Sequence, residues 1–209
     1  MRLAILAMGV SLVVLAGCGS SDKGLSSKAV SPSQAKGASR VDVKHATDPG
    51  AALIDQTPRA ISLEDFVALK AGAAKGDLGT DFKDSRVDPI ETSTYEVEAT
   101  IKSVVQRKDG DYYMVVQGDH GADAIVEVPD PNLCKNSPLH DKIASTRKAL
   151  EERYHPTSDV KEVNEKATID GVGFLGWRGK PGSNKPRLMP GTGVHFKDEK
   201  KDEAPAKKS

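Results

Sequence analysis

The sequence predicts a mainly β fold: a small β-barrel of order β-β-β-α-β-β, with one barrel helix and a short N-terminal helix. Three observations predict it. Apolar and polar residues alternate from Tyr95 to Val105, as in a strand with one wet face. Asp109-Gly110, the commonest tight-hairpin signal, stands directly before the apolar run Tyr112–Val116. From Ser137 the period becomes helical, and alternation returns after His155-Pro156.

The elements follow in chain order. Met1-Arg2 supplies one positive charge, and a nearly unbroken apolar run extends from Leu3 to Ala16. That run falls short of the ~20 apolar residues of a membrane span and has the layout of a secretory signal. It ends in Leu15-Ala16-Gly17-Cys18, which resembles the lipobox of bacterial lipoproteins. The resemblance implies a signal peptide over 1–17, cleavage before Cys18, diacylglycerol on its sulfur and further acyl chains such as palmitate. Two or three chains anchor a protein stably where one does not. Gly19 stands where enteric bacteria use aspartate to retain such proteins on the inner membrane. The expected location is therefore the outer membrane facing the periplasm, or the extracytoplasmic face of the plasma membrane in a host with one membrane.

Residues 18–58 read as the lipidated cysteine followed by a disordered tether. They are rich in Ser, Ala, Gly, Lys, Asp and Pro, with scattered single apolar residues, too few to repay the entropy of ordering. Forty tether residues would reach roughly 35 Å. Residues 59–92 are expected to form a short helix and an extended lead-in. Ser62 followed by Asp65 is a helix start, and Leu63, Phe66, Val67 and Leu69 make its apolar stripe.

The main domain is placed at 93–197. Its first strand runs from Tyr95 to Val105, and its second, Tyr112–Val116, is expected to be buried on both sides. The third runs from Ala122 to Val128, with Ala124, Val126 and Val128 facing inward, and Pro129-Asp130-Pro131 stops it. Ser137-Pro138 opens the helix as N-cap and first position, with Leu139, Ile143, Ala149, Leu150 and Tyr154 on one face. Ala167–Trp177 reads as a fourth strand, bent at Gly171, Gly173 and Gly176. A basic loop, Arg178 to Arg187, leads to a shorter fifth strand ending at Phe196, and residues 198–209 form a charged disordered tail.

Three strands, a helix and two more strands is the order of an OB-fold; an open sheet covered by the helix is the competing architecture. The segments Asp109-Gly110-Asp111-Tyr112 to Val116, Glu127-Val128-Pro129-Asp130-Pro131 and Asp170-Gly171-Val172-Gly173-Phe174-Leu175 resemble exported bacterial proteins of unknown function with an OB-like domain. The resemblance covers roughly residues 94–190 and implies the fold more than an activity. In that family the last strand begins Glu-Leu-His-Pro; here Arg187-Leu188-Met189-Pro190 puts Met189 at the histidine position.

The chemistry-bearing residues point to binding rather than catalysis. Asp109, Asp111 and Asp130 occupy positions that a thermonuclease-type enzyme uses for a cation, but no arginine lies between Arg107 and Arg147 to stabilise phosphoryl charge. No histidine pair among His120, His140, His155 and His195 has ligand spacing, and Cys134 precedes His140 by six residues; no metal or cofactor is expected. With Cys18 acylated, Cys134 has no intrachain partner and reads as a small buried hydrophobe. The remaining constellation is the loop carrying Trp177, Arg178, Lys180, Lys185 and Arg187, which has four basic residues, the only tryptophan and no acid. OB-folds grip oligosaccharides and oligonucleotides with this loop. The plainer reading is a solvated hairpin with Trp177 capping the core.

Thirty basic and thirty acidic residues cancel, so no global field draws the chain onto nucleic acid. The expected function is a membrane-anchored, non-enzymatic binding or interaction domain of the cell envelope. Its partners would be an envelope polymer, sugar or protein, with nucleic acid disfavoured. The alternative is an extracytoplasmic nucleic-acid binder or degenerate nuclease.

Overall fold

Long alternating segments become six strands in the computed structural model, which describes residues 39–69, 86–175 and 186–197. In chain order these are α1 (Arg40–His45), β1 (Asp55–Ala60), α2 (Leu63–Ala68), β2 (Ser93–Gln106), β3 (Tyr112–Gln117), β4 (Asp123–Val128), α3 (His140–Tyr154), β5 (Lys161–Leu175) and β6 (Pro186–Phe196). The sheet order is β1-β2-β3-β4-β6-β5, and β5 pairs back onto β2. Hydrogen bonds thus run in a ring through five strands. All ring pairings are antiparallel except the short β4–β6 contact at Val126 and Leu188.

The length of β2 makes this closure possible. One edge pairs with β5 from Thr94 to Val104, while the other takes β1 near Ser93–Glu96 and β3 from Thr100 to Gln106. The register shifts between Ile101 and Ser103 against both β3 and β5, a bulge of the kind that bends a strand. Closure also needs close backbone approach on β5. A Cβ on Gly171 would lie 2.7 Å from the Leu188 Cβ, and one on Gly173 would lie 2.3 Å from the Ile90 carbonyl oxygen.

Inside the ring sit Val97, Ile101, Met114, Val116, Val126, Val128, Ile169 and Leu188, with Ile143 and Leu150 of α3 packed against them. Tyr154 closes the end of that helix edge-on to Phe196, with ring centroids 5.5 Å apart. Outside, Val43 of α1 makes a smaller cluster with Phe174, Met189 and Ile125.

Several expectations need correction. The tether was expected to continue to Pro58, but residues 39–60 contain α1, a 3-10 turn at Pro49–Leu53 and β1. Charged residues are the reason. Arg40 and Asp48 are buried, each with a partner supplied by residues 86–91, and these pairs order a segment poor in apolar side chains. A local signal was present: Ser39 and Asp42 form a capping box at the start of α1.

The second predicted strand is buried on one face only, because Tyr113 and Val115 point outward from the ring and are half-buried. Regular helix begins at His140 rather than Pro138, and its N-cap is Leu139, without a side-chain cap, rather than Ser137; the Ser137 hydroxyl accepts from the Leu139 N–H at 3.1 Å in the turn before the helix. Ala149 is half-buried on the helix face, while Thr146 is buried there. β5 starts six residues earlier than expected, since its polar first half pairs with β2. β6 is eleven residues long rather than short; Pro190, Gly191 and Gly193 interrupt its alternation without ending it. The signal segment, Cys18, residues 19–38 and the tail from 198 lie outside the described residues.

One polar knot fastens these pieces. Glu91 is fully buried. Its carboxylate accepts from both terminal nitrogens of Arg40, from the Val87 N–H at 2.9 Å and from the Leu175 N–H at 2.8 Å. Removing one partner of a buried pair leaves an uncompensated charge, at a cost of about 3–5 kcal/mol. Glu91→Ala is therefore expected to lower the unfolding free energy by about 3 kcal/mol or more, read from urea denaturation. The double variant Arg40→Met, Glu91→Leu should lose less than the single one.

Candidate functional site

Of the five loop residues singled out in the sequence, the described structure contains Arg187. Trp177, Arg178, Lys180 and Lys185 lie outside the described residues, as does Cys18. Arg187 is the second residue of β6 and pairs with Phe174 of β5. Its side chain is a third exposed, and its guanidinium stands 3.8 Å from Glu127 of β4. The outward-facing Tyr113 of β3 pairs with Glu127 in register, and Arg107 lies over the Tyr113 ring at 5.1 Å. Burial raises the Tyr113 phenol above its ordinary value, with the charges of Arg187 and Arg107 opposing the rise. Two arginines and a tyrosine thus share one outer face at the root of the basic loop.

Beside that face, sharing Glu127 with it, lies a compact charge network. Lys44 of α1 places its ammonium 2.6 Å from Asp111, 2.7 Å from Glu127 and 3.5 Å from Asp109. His45 is 3.8 Å from Asp111. The other Asp111 oxygen accepts the Asp130 N–H at 3.1 Å. Arg147 of α3 donates to the Gly110 carbonyl at 2.6 Å and the Val128 carbonyl at 3.2 Å, and stacks over Tyr112 at 3.7 Å. Burial alone would raise the Asp111 carboxyl, but His45 and Lys44 outweigh it and hold it below its usual value. Burial likewise works against the Lys44 ammonium, and Asp111 and Glu127 overcome it, so its pKa is raised.

This network changes the reading of Asp109, Asp111 and Asp130. Asp111 is buried against a lysine of the same chain, which supplies the positive charge a cation would bring. Among the described residues, no group of three or more His, Cys, Asp or Glu side chains is placed to hold a metal ion. His120 serves through its backbone, donating to Glu64 at 3.0 Å, and His140 contacts Asp141 at 3.0 Å. Cys134 is fully buried and free. Its thiol is pushed up to about 12, first by burial and then by the nearby charges of Asp111 and Asp130.

Lys44 and His45 were invisible as site residues because they fell in the expected tether. Asp170 was also missed. It sits on β5, has a buried oxygen without a hydrogen-bond partner, and faces His195 at 3.8 Å. Its only sequence signal is an acid inside an apolar strand.

Compared with known proteins, the chain matches no family model, no curated protein and no solved structure.

Asp111 is held low, so its contribution is complete above the ordinary carboxylate range and is lost as pH falls through the lowered value. Lys44 is held high, so its contribution is complete below the ordinary lysine range and is lost only as pH rises through the raised value. Lys44→Met should therefore cost about 3 kcal/mol at neutral pH. The gap to the wild type should narrow as acid protonates the stranded Asp111, as pH-dependent urea denaturation would show. Cys134 should resist iodoacetamide in the folded chain and react after unfolding, as located by peptide mass mapping.

Proposed function

We propose that this chain is an exported lipoprotein, cut before Cys18 and anchored through acyl chains on that cysteine. Its head is an OB-like barrel that binds an envelope ligand rather than catalysing a reaction. The ring order β2-β3-β4-β6-β5, with α3 between the third and fourth ring strands, supports the OB-like reading. The leader and Leu15-Ala16-Gly17-Cys18 support the address.

One observation carries the binding reading. Arg187, Arg107 and Tyr113 meet on one outer face where β6 leaves the loop that contains Trp177, Arg178, Lys180 and Lys185. Guanidinium groups bind sulfate, phosphate and carboxylate by paired hydrogen bonds, and an aromatic ring gives a sugar a surface to lie on. An anionic envelope glycan is the ligand class that fits this face best. Glu127 limits its charge, since Arg187 and Lys44 both stand beside it.

The test is tryptophan fluorescence of the full chain, which has one tryptophan, titrated with heparin, chitotetraose and a single-stranded oligonucleotide at two salt concentrations. A saturable, salt-weakened shift with heparin is expected, reduced about tenfold by Arg187→Ala, a loss of ~1.4 kcal/mol. A flat response to all three from folded protein would sink the ligand class and leave a protein partner. Divalent-metal-dependent cleavage of the oligonucleotide would favour the nuclease reading instead. For the anchor, Cys18→Ser should move the protein from the membrane fraction to the soluble one; retention on the membrane would refute lipid attachment.

A further inference from the structure

Toward the other end of β6 from Arg187, a cavity of about 200 Å³ opens between α3, β1 and the β5–β6 pair. Asp170 forms part of its wall. This residue pairs with Gly193 across the β5–β6 ladder and with Glu96 across the β2–β5 ladder. A Cβ on Gly193 would come 2.6 Å from the Asp170 Oδ2, so the glycine makes room for the carboxylate. Oδ2 lies 3.8 Å from the His195 Nε2, while Oδ1 is buried with no hydrogen-bond partner. Burial and then the charge of Glu96 raise the Asp170 carboxyl above its usual value. Oδ1 is closed off from the cavity, so Oδ2, on the side of the carboxylate that carries its exposure, is the acceptor this wall presents.

The rest of the wall says what kind of partner. Lys142 spends one N–H on the Gln56 carbonyl at 3.2 Å, and an ammonium carries three donors. Thr192 brings a hydroxyl, the Thr146 hydroxyl is spent on the Lys142 carbonyl at 2.8 Å, and Pro58 and Ala149 bring an apolar patch. The Asp170 and Glu96 charges disfavour an anion, and Lys142 on the same wall disfavours a cation. What matches is a neutral molecule with several hydroxyls and one apolar face, small enough for the volume.

We propose that this cavity binds a single neutral sugar ring, with Asp170 accepting hydrogen bonds from its hydroxyls and Lys142 and His195 donating to its oxygens. Gly193 keeps the carboxylate in place, and Pro58 and Ala149 face the apolar side of the ring. This site is independent of the arginine face at the start of β6.

The experiment uses ¹⁵N-labelled full chain, with the methyl glycosides of glucose, galactose and N-acetylglucosamine as probes and methylammonium and sulfate as controls. At least one glycoside is expected to shift the Thr192, Gly193 and His195 amides saturably, with millimolar affinity. Asp170→Asn should weaken that binding about tenfold or more, and Thr192→Val by a smaller factor, while Arg187→Ala leaves it unchanged. The idea is overturned if no glycoside moves these amides in a folded sample, or if only methylammonium or sulfate does. It is also overturned if Asp170→Asn binds as tightly as the wild type.

Discussion

The buried carboxylate of Glu91 is the point on which the remaining structure depends. It faces three separate stretches of chain: Arg40 at the start of α1, the Val87 amide before β2, and the Leu175 amide at the end of β5. Arg40 also donates to the Leu175 carbonyl at 2.7 Å, so both backbone polar groups of that residue are grasped. Arg86 completes the knot by donating to the Glu91 carbonyl at 2.8 Å and the Val43 carbonyl at 3.1 Å while pairing with Asp48. Taking these charges out of water costs several kcal/mol each, and only a nearly full complement of hydrogen bonds offsets it. Leu175 pairs with Pro186 at the start of β6, so the knot also holds the strand end beside Arg187.

Two carboxylates on the same ring show how local surroundings divide structural from available chemistry. Asp111 has Lys44 and His45 against it and is held ionised. Asp170 also has a histidine, His195, at 3.8 Å, but it has Glu96 opposite it and, among the described residues, no lysine as close as Lys44 is to Asp111, and its carboxyl is raised. The first is consumed by the fold, joining α1 to the β3 hairpin. The second is tied to no other described element by a lysine, and Gly193, where a Cβ would lie 2.6 Å from Oδ2, leaves its carboxylate room at the cavity wall.

Periodicity made the ring strands legible. Alternation at Val97, Ala99 and Ile101 and at Ala124, Val126 and Val128 records which residues face inward, and the Asp109-Gly110 turn fixes where the β2–β3 hairpin reverses. The helical face of α3 was equally plain. What could not be read was anything held by charge across long sequence distances. Arg40 and Glu91 are fifty-one residues apart, and a lone arginine in a polar stretch looks the same whether it is solvated or locked onto a buried acid. The length of β6 was hidden for a different reason: Pro190 and two glycines look like loop punctuation, yet here they permit close strand packing. At the candidate sites, Arg187 was legible by belonging to a basic run, whereas Asp170 and Lys44 acquire meaning only through neighbours that the fold brings together.

Ring closure has a further consequence for how copies of this protein meet. A paired strand edge offers no template for another chain. β4 and β6 meet only at Val126 and Leu188, and among the described residues the one terminal strand of this sheet is β1. That strand is fully exposed, contains Pro58, and carries the Asp55–Arg59 ion pair at 3.1 Å. A proline cannot donate to an added strand, and charges along an edge resist stacking against a copy of themselves. Raising the concentration of this chain would therefore increase encounters between copies without offering β1 as an edge on which strands can add.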